Sequence, residues 1–239
     1  MNKEKQFNEQ DNEEFDLEQV STEQGVESFI KKYKIQLISL IGLIAVVTII
    51  AVFWFGSGNA QEEKASLYLS RIMNVYDSQN FELALKGDKT QKVRGEMVYG
   101  LEYIANEFGG TESGKIAAFY AGKCYMELDK NNEALKHLEI ATGSNSTIIK
   151  QGAYSAIAVI KEQQNKPKEA ADLYIKAAGF AIEKEVKARL LLYAAINFAK
   201  ANDKENAINN YQEVIGLSEF SEYGDFAKMG LTELGIVID

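Results

Sequence analysis

The sequence predicts an all-α protein: a single N-terminal transmembrane helix followed by a solenoid of antiparallel helix pairs. Three observations predict it. Residues 35–55 contain no charged residue. Downstream, a motif of turn, Ala and large side chain recurs every 36 or 37 positions. The 239-residue chain holds one Pro, so long helices meet no breaker.

Residues 1–30 are polar, with nine Asp/Glu against Lys3 and Lys5. Phe7, Phe15, Leu17 and Val20 are too sparse to build a core, so an acidic, disordered cytoplasmic tail is expected here. Its later part, from Gln24 to Lys34, can form a helix running into the next segment.

Residues 31–56 read as the anchor. Between Ile35 and Phe55 the only polar residues are Gln36, Ser39 and Thr48. A helix rising about 1.5 Å per residue is then roughly 30 Å long, the thickness of a bilayer core. Ser and Thr hydroxyls can bond back to their own helix, so they cost little in lipid. Phe53, Trp54 and Phe55 at one end and Tyr33 at the other form an aromatic belt. A core helix of a soluble protein is disfavoured by so long a run without charge. A cleaved signal, with small residues at Gly58-Asn59-Ala60, is disfavoured by the length of the apolar core. Lys31, Lys32 and Lys34 precede the segment; Glu62, Glu63 and Lys64 follow it. The positive-inside rule places the N-terminus in the cytoplasm and the rest across the membrane.

Gly56-Ser57-Gly58-Asn59 reads as a short link over residues 57–60. Residues 61–239 then form a domain large enough for a substantial core. It is expected to be helical throughout, since no stretch sustains period-two alternation of β-branched residues. Residues 61–86 predict one long helix with Leu67, Tyr68, Ile72, Val75 and Tyr76 on a stripe.

Three turns align: Asp129-Lys130-Asn131-Asn132-Glu133-Ala134, Asn165-Lys166-Pro167-Lys168-Glu169-Ala170 and Asn202-Asp203-Lys204-Glu205-Asn206-Ala207. Four positions after each Ala stand Leu138, Tyr174 and Tyr211; three further come Ala141, Ala177 and Val214. Twelve before each Ala are Gly122, Ala158 and Ala195, and nine before are Tyr125, Lys161 and Phe198. Small residues let two helices approach, and residues four apart share a face. Asn tolerates the left-handed dihedrals that end a helix, and Pro167 suits a first helical position. Repeats are expected over about 115–148, 151–184 and 188–219, with a capping helix over about 222–238.

These offsets resemble the tetratricopeptide repeat. Lys161 departs from it, standing where an aromatic is expected, and no Pro closes a repeat. The combination of acidic tail, single span and helical repeats is similar to the ancillary Sec translocon subunit family. That resemblance implies a membrane-anchored domain exposed to the periplasm and linked to chaperones of exported proteins. It rests on architecture over residues 25–239, not on a diagnostic motif.

Chemistry is sparse. One Cys, Cys124, and one His, His137, exclude an internal disulfide and any zinc or iron–sulfur site. The net charge of -9 argues against a nucleic-acid partner. No dinucleotide, phosphate-loop, zinc-protease or serine-hydrolase motif occurs, so neither enzymatic activity nor a cofactor is expected. Cys124 reads as a small buried hydrophobe beside Tyr125. His137 is expected on a partly exposed face, with no third residue to complete a dyad.

By resemblance, the first helices of the repeats line a peptide-binding groove. Its positions would be Ile116, Phe119, Lys123 and Met126, then Ser155, Val159 and Glu162, then Arg189, Leu192, Ile196 and Lys200. Apolar anchors with a few charges suit a peptide. The function expected is polypeptide binding outside the cytoplasm, in protein export or envelope assembly. Partners would be translocon subunits, chaperones or exported chains. A dedicated scaffold for a fixed envelope complex is the second expectation. The soluble part is expected to be monomeric or weakly dimeric.

Overall fold

The computed structural model describes residues 23–93 and 96–237. The fold is all-α apart from one small β-ribbon. It divides between Gly56 and Ser57 into two compact units. The acidic tail expected over residues 1–30 lies outside the described residues as far as residue 22.

Helix α1 (Glu23–Asp77) begins in the first unit and continues into the second, with non-helical dihedrals at Tyr33. Large apolar side chains from Ile35 (84% exposed) to Ile49 (69%) lie open. Ser39 Oγ donates to the Gln36 carbonyl at 2.8 Å, and Thr48 Oγ1 to those of Ile44 and Ala45. Among the described residues no single helix is long and apolar enough to cross a membrane. A bent pair, Phe29–Gln36 and Ile38–Ile49, meeting at 47°, passes that test by length and composition. The side chains of Phe53, Trp54 and Phe55 lie outside those described, and so does the aromatic belt at that end.

The link expected at 57–60 is helical instead. Gly56 and Gly58 each cost a helix about 1 kcal/mol relative to Ala. No Pro lies in α1, and the succeeding turns are clamped by burial of Ala65, Tyr68 and Ile72.

The second unit stacks antiparallel helix pairs. Helix α4 (Glu112–Glu127) pairs with α5 (Asn131–Ala141), α6 (Thr147–Gln163) with α7 (Pro167–Ala178), and α8 (Lys184–Lys200) with α9 (Lys204–Ser218). Helix α10 (Glu222–Glu233) caps the row. Each pair starts a few residues before the expected boundary, because Thr111 and Ser146 cap the first helices. At the turns Asp129, Asn165 and Asn202 have φ of 56, 56 and 58°. Each turn closes by the same pair of hydrogen bonds: Lys130 N to Tyr125 O, Lys166 N to Lys161 O, and Asp203 N to Phe198 O span six residues, while Asp129 N to Met126 O, Asn165 N to Glu162 O, and Asn202 N to Ala199 O span four. The repeat's Ala residues and their partners Leu138, Tyr174 and Tyr211 are buried. At Gly122 a Cβ would stand 2.6 Å from Leu138 Cγ, so the small residue is what lets α4 meet α5.

A fourth pair precedes these, and it corrects the single long helix expected over 61–86. Helix α1 stops at Asp77; Gln79 takes φ 59°, and α2 (Phe81–Lys86) begins. The ribbon follows, β1 (Gly87–Val93) antiparallel to β2 (Glu96–Tyr99), with Gly87 opposite Tyr99. Then α3 (Leu101–Phe108) resumes. Ala84 N bonds Asn80 O as Ala134 N bonds Lys130 O. Ala84 and Ala134 stand 50 positions apart; excising the thirteen residues 87–99 leaves 37, the step from Ala170 to Ala207. Helices α2 and α3 are thus one second helix split by an inserted ribbon. Ala84-Leu85-Lys86 and Leu101-Glu102 match Ala134-Leu135-Lys136 and Leu138-Glu139. Two glycines form the neck. Gly87 has φ 77°, and a Cβ on Gly100 would collide with the Leu85 carbonyl and the Gly87 amide.

The two edges of the second unit differ. The edge of tight turns is polar: Asn131 donates to Gln163 at 2.8 Å, and Lys168 pairs with Asp203 at 3.3 Å. On the edge of pair-to-pair loops, Glu62 of α1 accepts from the amides of Glu112 and Ser113 at 2.7 and 3.1 Å. Glu112 in turn accepts from Ser144 Oγ and from the amides of Asn145 and Ser146. Lys150 lies over the Phe180 ring at 5.4 Å, and Lys187 pairs with Glu213 at 2.8 Å.

Candidate functional site

The first helices present one register of positions. Ile116 is followed at 36, 37 and 37 residues by Gly152, Arg189 and Phe226; Phe119 is followed by Ser155, Leu192 and Met229. The structure separates the expected groove residues into three groups. Lys123 and Lys200 are exposed, while Ile116, Met126 and Arg189 are half-buried. These five retain surface for a ligand. Val159 and Ile196 are half-buried and pack against the core of the second and third pairs.

The rest are spent on packing. Leu192 is only 3% exposed and belongs to that core, which corrects its assignment to the groove. Phe119 lays its ring on Gly152; a Cβ there would sit 2.8 Å from two ring carbons. It therefore joins α4 to α6. Glu162 turns inward, accepting from the Tyr174 hydroxyl at 2.9 Å and from Asn197 Nδ2 at 2.5 Å. Asn197 is 1% exposed, and its Nδ2 also donates to the Tyr193 carbonyl. Burial, with the bond to Glu162, pushes the Tyr174 hydroxyl far up. Ser155 Oγ is buried with no hydrogen-bond partner among the described residues.

Two anchors escape a reading limited to three repeats. Phe226 (48% exposed) and Met229 (59%) extend the register onto α10. On the side of α10 where a second helix would pack in a complete pair, it carries Asp225, Lys228 and Thr232 instead. The cap is thus polar where it ends the stack and apolar where it continues the register. The 37-residue step from Arg189 and Leu192 is the signal that finds these two residues. With Glu162 held inside, the face keeps the charges of Lys123, Arg189 and Lys200, together with Glu127 and Glu233, which the same spacing places in the rows of Lys200 and Lys123.

Cys124 is buried in the first-pair core, and that burial pushes its thiol up to about 12. His137 is 7% exposed, not partly exposed as expected. It stacks on Tyr125 at 5.4 Å, burial lowers its pKa, and its Nδ1 has no partner among the described residues. No hydrogen bond joins the two. Among the described residues no group of three His, Cys, Asp or Glu converges as metal ligands would.

Two clefts lie outside the register, or at its margin. One of about 720 Å³ opens at the ribbon neck, between Leu85, Val98, Tyr99 and Tyr103. A smaller one of about 360 Å³ is lined by Tyr76, Asp77, Phe81, Lys123 and Glu127. Comparison with family models, curated proteins and solved structures finds no match to this chain.

Proposed function

We propose that the protein is a non-enzymatic, membrane-tethered polypeptide-binding module of the tetratricopeptide type. The tether is the apolar part of α1, which sits in the bacterial inner membrane with its N-terminus cytoplasmic and the second unit in the periplasm. Its support is the uncharged stretch with exposed side chains from Ile35 to Ile49, behind the three lysines. The work belongs to export or envelope assembly, on translocon subunits, chaperones or exported chains.

One observation carries the binding function. The register that starts at Ile116 ends on α10 with Phe226 and Met229 open. Both are large apolar side chains left open, and the strip beside them carries Lys123, Arg189 and Lys200 with Glu127 and Glu233. That suits a peptide with apolar anchors and a few charges that fix its register. Tethering raises the local concentration of the face for membrane-bound partners.

The test is photo-crosslinking in living cells from a probe replacing Met229, with a second at Lys123. Phe119 is a poor site, because its ring fills the space over Gly152. Translocon subunits, periplasmic chaperones and many exported chains among the adducts fit the reading. One dominant folded envelope partner would make the protein a dedicated scaffold. Cytoplasmic adducts alone would overturn the topology.

A further inference from the structure

We propose that the loop edge of the second unit is a lipid-contact surface, on which Ile148, Ile182 and Phe220 enter the interfacial layer of the bilayer. The inference rests on the tethered reading above.

The three side chains are 69, 78 and 96% exposed. They stand at three successive first helices, α6, α8 and α10, each within two residues of the helix start; the start of α4, after Gly109-Gly110, carries none. The contacts from Glu62 to Ser113, Glu112 to Asn145, Lys150 to Phe180 and Lys187 to Glu213 place these starts along one edge. Glu62 belongs to that edge, and it lies six residues past Gly56. The second unit's own first helix, which begins at Ser57, therefore starts at this edge. On the opposite edge the turns within pairs are polar, Asp129-Lys130, Asn165-Lys166 and Asn202-Asp203, and the exposed apolar residue there is Val237, past the end of α10.

The pattern selects lipid over a protein occupant. A protein interface needs a contiguous, closely packed centre. Here single tips stand apart on successive loops, an arrangement a bilayer interface accepts without shape complementarity. Charge does not drive the contact. Glu183, Glu185, Glu219 and Glu222 outnumber Lys150 and Lys184 around the tips. A zwitterionic surface with apolar insertion is the partner that fits.

The test uses the full chain reconstituted in phosphatidylcholine vesicles. Nitroxide labels go on I148C, I182C and F220C, with K166C on the opposite edge and V46C in the apolar segment as controls. Cys124 is buried and stays unlabelled in the folded protein. Collision with oxygen and with a water-soluble nickel chelate is measured. The expected result is chelate access several-fold lower at the three tips than at K166C, with oxygen access higher, and no change when salt is raised. Chelate access equal to that at K166C overturns the proposal. Loss of both oxygen and chelate access, with spectral immobilisation, also overturns it, in favour of a protein contact or self-association. The V46C label separates the two readings: if it too is open to the chelate, the tether itself is wrong.

Discussion

The first and second helix pairs of the stack share a register but treat it differently after the sixth residue of the second helix. In the second pair, Ala134-Leu135-Lys136 runs on through His137 to Leu138. In the first, Ala84-Leu85-Lys86 leaves the helix at Gly87, makes a ribbon, and returns through Gly100 to Leu101. Leu101 and Leu138 are both 0% exposed. A helix can thus be split without losing phase if exit and re-entry are adjacent. Gly87 opposite Tyr99, with Gly100 against the Leu85 carbonyl, provides that adjacency. An isolated two-stranded ribbon is marginal in water, so its root must be anchored in the core. Val98, 4% exposed, does this.

The largest test of this equivalence is a matched pair of truncations. Leu101→Ala and Leu138→Ala should each cost about 2–5 kcal/mol, since each empties a closed site between two helices. Urea unfolding of the full chain in detergent, followed by circular dichroism, measures both. A near-neutral Leu101→Ala would mean that α3 is an appended helix and not the second half of a split one.

The next test turns on Gly100, where one substitution should act with opposite signs in two backgrounds. In the intact chain, Gly100→Ala puts a methyl into the Leu85 carbonyl and should destabilise by about 1–3 kcal/mol. With residues 87–99 removed, Gly100 becomes the middle of a continuous helix, equivalent to His137. There Gly100→Ala should stabilise by about 1 kcal/mol, the difference in helix propensity. Equal signs in both backgrounds would break the register argument.

What the sequence reveals follows the same division. The uninterrupted pairs are legible because each carries a turn residue tolerant of positive φ, an Ala five residues on, and a small residue opposite. Asp129, Asn165, Asn202 and Pro167 behave as their chemistry dictates. The interrupted pair is hidden for two reasons. Gln79 is an uncommon residue at φ 59°, and the insert moves Leu101 thirteen places from where Leu138 would place it. The ribbon lacks alternation because three residues bulge between the pairings of Asp88 and Lys92. The candidate face is partly legible. Spacing alone puts Leu192 and Met229 in one row, but the depth of a side chain depends on its neighbour. Leu192 is covered, whereas Met229, on the last described helix, is 59% exposed.

A smaller effect concerns the loop that joins the second pair to the third. Burial alone would raise the Glu112 carboxyl, but bonds from Ser144 and the amides of Asn145 and Ser146 hold it below its ordinary value of 4.5. A group depressed on folding contributes fully above its unfolded value, and the contribution disappears as pH falls through the folded one. Glu112→Gln should therefore cost about 1 kcal/mol at neutral pH and flatten the acid limb of the stability profile below about pH 4.5. A pH series of urea midpoints reads both. An unchanged acid limb in the variant would show that the bonds at Glu112 are not what ties the second pair to the third.

The mildest expected effect is at Lys161, the one departure from the aromatic row of Tyr125 and Phe198. Those two rings are 8 and 2% exposed and fill the gap between paired helices. Lys161, half-buried, instead pairs with Glu169 on α7 at 2.9 Å, bridging the two helices of its own pair. The bond from Lys161 lowers the Glu169 pKa. Both groups stay partly in water, and such pairs contribute little and are screened by salt. Lys161→Met keeps the stem and removes the charge. It should shift the urea midpoint far less than Phe198→Ala, and molar salt should erase the difference from the parent chain. A loss as large as that of Phe198→Ala would mean that the ion pair, and not the stem, holds α6 to α7.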